Sequence, residues 1–421
     1  MNSNLKIFLF LTVIIGLSVL VVIHQPMVYR RHLVYVGALF NVDVNTSEPK
    51  EPLIALAGEM ETFKLSTTKT KDKEKITTRA IPATKTSVTT RRATTTTTIQ
   101  PNIASNYKEI AYVNHPGWYL NSIPKEKVFL NCEVKTCRLR KGWKYFNTSD
   151  AVVFYGVHSS LRTPPKRTKS DQIWVVSGWE SPYHTASDVW SNQGWKDQIN
   201  WTMTYRLDSD IPVPYGLVKK NENKSNKDYR NIITNKRKMV AWVVSNCNTP
   251  GQRMKYVKQL KEIVPVDVFG RCGSPVPKDI FGMINKTYKF YLSFENSLCK
   301  DYITEKFFMR QNLDVVLITR GGGNYTKFYP QESFINSNKF KNAHELGKFL
   351  LKLDKDNTAY LNYLKSKENY RSLDFGVSIR KGLCNMCKML HDKKIHRNVY
   401  KDYHKWWWNS DCNSKPTDII L

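Results

Sequence analysis

Tyr288 to Lys306 reads YKFYLSFENSLCKDYITEK. Its first seven residues, Tyr288 to Phe294, form a short apolar and aromatic run of the kind that makes a buried strand. The run empties into a dense polar cluster of Glu295, Asn296, Asp301, Tyr302, Thr304, Glu305 and Lys306. A helix is expected over Thr304 to Gln311, with Thr304 as its N-cap. Open α/β sheets bind their ligands where a buried strand runs out into such a loop. Glu305 has two oxygens for a ribose diol, and Lys306 lies near the positive helix end, where phosphate is favoured. From spacing alone, the stretch equally reads as an ordinary strand–loop–helix corner carrying solvated charges.

The flanking sequence repeats the strand-and-helix alternation. Met239 to Val244 reads as a buried strand, Gln252 to Ile263 as a helix and Val266 to Phe269 as the next strand, a βαβ unit with a right-handed crossover. Arg253 starts that helix, within reach of an anion at its N-terminus; it also reads as an exposed helix charge. Asp314 to Thr319 is a further strand. It leads into Gly321-Gly322-Gly323, where missing side chains permit close backbone approach to a ligand. Helices near Ala343 to Leu353 and Asn357 to Lys365 close this half. Upstream, Val128 to Leu130, Ala151 to Tyr155 and Ile173 to Ser177 read as short buried strands. The last leads to Gly178-Trp179-Glu180-Ser181-Pro182-Tyr183-His184. A carboxylate there, beside Trp179 and Tyr183, suits a general base and also reads as an acidic turn residue before Pro182. His184 reads as an acceptor contact or as a structural histidine.

FENS followed by DYITEK closely resembles the donor-binding signature of the α1,3-fucosyltransferases, glycosyltransferase family 10. The similarity extends from about Val128 to Trp406-Trp407-Trp408. It implies an α/β fold of the GT-B type, with two Rossmann-like domains facing across a cleft. It implies transfer of L-fucose from GDP-β-L-fucose, with inversion, to the 3-hydroxyl of a GlcNAc in a glycan. IWVVSGWESPYHT (Ile173 to Thr185) resembles the segment whose Glu is the family's base, which makes Glu180 the catalytic candidate. SNCNTPGQRMKYV (Ser245 to Val257) resembles the stretch whose Arg meets the diphosphate. Arg253, Asn296, Tyr302, Glu305 and Lys306 are therefore the donor-site candidates. NWTMTYRLDSDIPVPYG (Asn200 to Gly216) also matches the family. The resemblance argues against reading its Asp208-Ser209-Asp210 as a metal pair, and Arg206 offers those carboxylates an ion pair. No bound metal or tightly bound cofactor is expected, while stimulation by a divalent ion such as Mn2+ needs no protein-held site. The sequence departs from the family after Lys306: FFMRQNLDVVLITRGGG lacks the usual proline and glycine and is shorter. That departure motivates a competing reading, a Golgi-tethered glycan-binding protein on the same fold with its chemistry lost.

The chain carries 65 Lys and Arg against 36 Asp and Glu, a formal charge of +29. A basic surface suits a phosphate-bearing ligand. With no zinc finger, RNA-binding signature or basic heptad region, nucleic acid is not an expected partner. Ile7 to Ile23 is uncharged and sits at the short end of the roughly 17–25 residues that cross a bilayer. It reads as a signal peptide or, lacking a small-residue cleavage site, as an uncleaved anchor. The organisation expected is a cytoplasmic tail over 1–6, an anchor over 7–23, a Thr/Lys-rich disordered stem over 24–105, an acceptor-side domain and linker over 106–235, a GDP-fucose domain over 236–375 and a tail over 376–421 packing back on the core. That layout matches a single-pass type II Golgi membrane protein with a lumenal catalytic domain. Asn45, Asn147, Asn200, Asn223, Asn285 and Asn324 each begin an N-x-Ser/Thr acceptor sequence.

Eight cysteines in a secretory chain favour disulfides. Cys384-Asn385-Met386-Cys387 by itself also reads as a redox or zinc half-site. The resemblance implies that Cys132 and Cys137 bond with Cys384 and Cys387. Cys247 with Cys272 is a further expected pair. The triple tryptophan is expected to pack the tail against the core rather than to stack on sugars.

Overall fold

The structure, a computed structural model, describes residues 106–116, 128–157, 161–222, 226–392, 399–409 and 412–420. The expected anchor and stem, with Asn45 and Asn223, lie outside the described residues. Among the described residues, no helix is long and apolar enough to cross a membrane.

The first sheet is built from β1 (Lys108–Tyr112), β2 (Cys137–Lys141), β3 (Ala151–Tyr155), β4 (Ile173–Gly178) and β5 (Trp201–Thr204). After β6 (Leu217–Lys220), a second sheet follows from β7 (Lys238–Val243), β8 (Val266–Phe269), β9 (Tyr288–Phe294), β10 (Val316–Arg320) and β11 (Phe334–Asn336). β12 (Tyr370–Leu373) pairs with β6 in an antiparallel ribbon. The spatial orders are β2-β1-β3-β4-β5 and β11-β10-β9-β7-β8. Every pairing in both large sheets is parallel. Strands covered on both faces explain the near-continuous apolar runs of β3, β4 and β9, which are buried along their whole length. Lys289 is tolerated inside β9 because its amine reaches Asp354 at 2.7 Å.

Three features differ from the sequence reading. Val128 to Leu130 forms a turn, with Val128 and Phe129 buried and Leu130 53% exposed. β1 and β2 were not expected, because KEIAY and CRLRK are half polar. The helix after Thr304 is one turn, Glu305–Phe308. Phe307 and Phe308 then enter the core, and Phe308 packs edge-on to Phe328 at 5.0 Å. The segment after Lys306 thus fills its space with aromatic rings.

The helix Phe375–His391 belongs to the core of the first sheet through Ile379, Leu383, Met386 and Leu390. Cys384 and Cys387, three apart, share one helix face and meet Cys132 and Cys137 respectively. Cys247 bonds Cys272. A fourth disulfide, absent from the sequence reading, joins Cys299 to Cys412. The described cysteines are all paired, so Cys384 and Cys387 are neither a redox pair nor zinc ligands. Trp407 is buried and donates from Nε1 to Thr185 Oγ1 at 3.1 Å. Trp406 lies under the Arg206 guanidinium at 4.0 Å. The tryptophans pack the tail onto the first sheet.

Asn147 and Asn324 are exposed. Asn200 is not an open glycan acceptor. It is 6% exposed, and its side-chain oxygen accepts from Trp174 N at 2.8 Å and Arg167 at 3.3 Å. Asn285 is half-buried, with its oxygen taken by Asp314 N.

Candidate active site

In the second sheet the chain leaves β7 for β8 on one side and returns to β9 on the other. The carboxyl ends of β7 and β9 therefore diverge into a crevice, the place where such sheets bind ligands. Arg253 sits there. It is the first residue of the helix Arg253–Leu260 and is 4% exposed. Its Nη1 donates to the Phe294 carbonyl at 2.8 Å and its Nη2 to the Asn246 carbonyl at 3.1 Å. The side chain thus bridges the two strand ends rather than waving from the helix as a solvated charge. Asn296 follows β9. Its backbone carbonyl accepts from Gly251 N at 2.9 Å, while its side-chain oxygen is buried with no hydrogen-bond partner among the described residues. A buried unpaired acceptor of this kind is suited to a ligand donor.

Glu295, in sequence one member of the polar cluster, is the anchor of the corner in the structure. It has no exposed surface. It accepts from Thr304 N and from Thr304 Oγ1, both at 2.8 Å. Thr304 caps the short helix by accepting from Lys306 N at 3.4 Å. The Lys306 amine then lies 2.9 Å from Thr304 Oγ1, 2.9 Å from Glu305 and 3.6 Å from Glu295. Burial pushes the Glu295 carboxyl up, with Lys306 opposing it. Glu305 faces the same burial, but Lys306 more than offsets it and holds that carboxyl below its usual range. The corner therefore presents an ionised Glu305 beside a fixed ammonium, one acceptor of hydroxyl protons and one counter-charge for an anion.

The first sheet brings Glu180 to this corner. Glu180 follows β4 and is half-buried. Tyr302, 1% exposed, donates from Oη to Glu180 Oε2 at 3.2 Å. Burial first, and the Glu180 charge next, push the Tyr155, Tyr215 and Tyr302 phenols up, so Tyr302 keeps the proton it donates. Tyr183 is not part of this environment. It is 41% exposed and donates to the Cys412 carbonyl at 3.2 Å. The base candidate is surrounded instead by Trp179 and tyrosines from other segments. His184 is half-buried, and its Nε2 has no hydrogen-bond partner among the described residues.

Further bonds lock the two halves along the same line. Ser181 Oγ donates to Ser297 Oγ at 2.7 Å, Leu207 N to Asp301 at 3.2 Å and Lys300 to Asp208 at 3.1 Å. Asp208 also takes both Nε and Nη2 of Arg206, at 2.8 and 2.6 Å. Asp210 accepts from Thr202 N and from the Tyr400 hydroxyl, each at 2.8 Å. Arg206 pairs with Asp208 alone, and Asp210 is held by Thr202 and Tyr400 instead.

The glycine run behaves differently from the expectation of ligand approach. A Cβ on Gly322 would lie 2.5 Å from the Cys299 carbonyl oxygen, and one on Gly323 would lie 2.5 Å from Ile303. The glycines make room for the Cys299–Ile303 loop itself.

Residues 233–406 match the family described as glycosyltransferase family 10 (fucosyltransferase), C-terminal, and residues 106–216 match the fucosyltransferase N-terminal family. A bovine 3-galactosyl-N-acetylglucosaminide 4-α-L-fucosyltransferase is 35% identical over 62% of this chain and 72% of its own length. A human 4-galactosyl-N-acetylglucosaminide 3-α-L-fucosyltransferase is 33% identical over 62% of this chain and 73% of its own. A glycoprotein 3-α-L-fucosyltransferase A of Drosophila melanogaster is 34% identical over 66% of this chain, and this chain spans 56% of that protein's length. A solved α1,3-fucosyltransferase with GDP-fucose covers 69% of this chain at TM-score 0.47 and 18% identity.

Proposed function

Because the chain belongs to the fucosyltransferases of glycosyltransferase family 10, we propose that it transfers L-fucose from GDP-β-L-fucose to the 3-hydroxyl of a GlcNAc in a glycoprotein or glycolipid glycan. The observation that carries this reading is the Tyr302–Glu180 bond at 3.2 Å. It sets a carboxylate base from one sheet directly against the donor loop of the other. Glu180 takes the acceptor hydroxyl proton as that oxygen attacks the anomeric carbon. GDP leaves from the opposite face, and the β-linkage becomes α. Arg253 and Lys306 offset the charge that develops on the departing diphosphate. Glu305 accepts the ribose hydroxyls, and Asn296 and Tyr302 complete the donor site. With Asp208 and Asp210 committed to Arg206, Lys300, Thr202 and Tyr400, a divalent ion that stimulates transfer would act on the diphosphate without a protein site.

The reading places the catalytic part in the Golgi lumen behind an N-terminal anchor. Four disulfides call for an oxidising compartment, and the uncharged run Ile7 to Ile23 supplies the tether. The alternative of a binding protein without chemistry has no support in the site, where Glu180 and every donor candidate are present and Glu180, Arg253, Tyr302, Glu305 and Lys306 are held by partners.

The test is a transfer assay on the full-length chain made in a secretory host. GDP-fucose is supplied with N-glycan core, lactosamine and GalNAc-containing acceptors, and the products are weighed by mass spectrometry. Gain of one deoxyhexose on an acceptor is the expected result. Absence of transfer and of GDP-fucose binding in a well-folded chain would refute the reading.

A further inference from the structure

Beyond the tryptophan helix Tyr403–Trp408, residues 412–420 run back over the second sheet. Cys412 is bonded to Cys299, and Asn413 N donates to the Leu298 carbonyl at 2.9 Å. Gln252 Nε2 then donates to the Ser414 carbonyl at 3.0 Å. Asp418 accepts from Nε and Nη2 of Arg320, both at 2.7 Å. Gln259 and Ile420 exchange bonds of 2.6 and 3.1 Å, and Ile419 packs on the core.

These attachments converge on the two loops that carry the donor groups. Arg320 has no exposed surface, and its Nη1 donates to the Gly251 carbonyl at 2.6 Å. Gly251 N in turn holds the Asn296 carbonyl at 2.9 Å. Gln252, with φ of 50° in the left-handed region, is the last residue before Arg253. Asp418 is thus connected through Arg320 and Gly251 to Asn296 and, two residues along the chain, to Arg253. At the other end of the segment, Cys412 and Asn413 hold Cys299 and Leu298, between Asn296 and Tyr302.

We propose that residues 412–420 are a strap that sets the geometry of the nucleotide-sugar site, with Asp418 a positioning residue that acts through Arg320. The inference rests on the reading of that crevice as the donor site. A guanidinium cut off from water needs its charge met, and a bidentate carboxylate fixes its plane as well. The orientation of Arg320 fixes the Gly251 carbonyl, and small displacements of groups that hold a reacting diphosphate are costly.

The experiment compares the full-length chain with Asp418→Asn, Asp418→Glu and Gln252→Ala. It measures KM for GDP-fucose, KM for the acceptor, kcat and calorimetric Kd for GDP, with melting temperature followed separately. Asp418→Asn is expected to raise the donor KM and the GDP Kd by roughly tenfold. Acceptor KM and kcat at saturating donor should move by less than about threefold. Asp418→Glu should restore much of the donor affinity, and Gln252→Ala should shift it in the same direction by less. A lower melting temperature with donor constants unchanged in the folded protein would make the strap merely structural and overturn the proposal. If Asp418→Asn does not fold, Gln252→Ala decides, and an unchanged donor KM there overturns it. Failure of the unaltered chain to bind GDP would instead defeat the donor-site reading, and the strap with it.

Discussion

Tyr302 Oη donates to Glu180 Oε2 at 3.2 Å, and this bond links the loop after β9 in the second sheet to the loop after β4 in the first. Glu180, the proposed base, is thus oriented by the same segment that carries Lys306 and Asn296. On the proposed reading, the donor and acceptor groups are set by one piece of chain.

Tyr302→Phe keeps the ring, with its edge-on contact to Tyr205 at 5.0 Å, and removes only the donor. A hydrogen bond to a charged group contributes about 1.5–3 kcal/mol. The expected outcome is a kcat lowered by roughly tenfold or more, with a smaller change in GDP affinity. Steady-state kinetics on the purified variant check it, and an unchanged kcat would remove Tyr302 from any role in orienting Glu180.

Asp208 gives the protein an acid-sensitive latch between its two halves. Burial alone would raise its carboxyl, but hydrogen bonds from Arg206 and Lys300 more than offset this and hold it at about 2. The folded-state value lies below the unfolded one of ~3.9. Its contribution is therefore present above pH ~4 and lost as pH falls toward 2. With the Asp208 side chain 40% exposed, screening keeps the slope shallow. Denaturant unfolding at a series of pH values should show the stability gap between the native chain and Asp208→Asn closing over that window. A gap that stays constant to pH ~2 would contradict the latch.

Gly322 should tolerate no side chain. An added Cβ would meet backbone atoms of Cys299 at 2.5 to 2.7 Å, and that backbone is held by the disulfide to Cys412. Overpacking of this kind costs about 1–3 kcal/mol. Gly322→Ala is expected to push the loop toward the donor site and weaken GDP binding, read by calorimetry alongside a thermal melt. Native GDP affinity in that variant would show that the loop yields without disturbing the site.

The strand at the heart of the site was legible because Tyr288 to Phe294 is apolar or aromatic almost throughout, and the structure ends the strand at Phe294. Thr304 was legible as a cap because local side-chain chemistry decides helix starts. Glu180 and Asn296 lie where β4 and β9 run out, but spacing alone also reads both as ordinary turn residues, and only the family resemblance singles them out. What escaped were partnerships set by tertiary closure. Arg320 and Asp418 are 98 residues apart, and Cys299 and Cys412 are 113 apart. Nothing in either neighbourhood names the partner. β1 escaped because Lys108 and Glu109 followed by three apolar residues show neither alternation nor a continuous apolar run, and β2 because Cys137 and Leu139 alternate with Arg138 and Arg140 over only four residues, the shortest run that marks a strand. In sequence Glu295 is one charge among several, because its partner Thr304 lies nine residues on and meets it only when the loop folds back.

The most direct measurement is fucose transfer by Glu180→Gln set beside GDP-fucose binding by the same protein. The amide keeps the shape and can still accept from Tyr302, but it cannot take a proton. Transfer should fall by roughly 10²–10⁴-fold, while the dissociation constant for GDP-fucose stays close to that of the unaltered chain. A variant that transfers fucose at the native rate, or one that loses donor binding together with transfer, would contradict the assignment of Glu180 as the base.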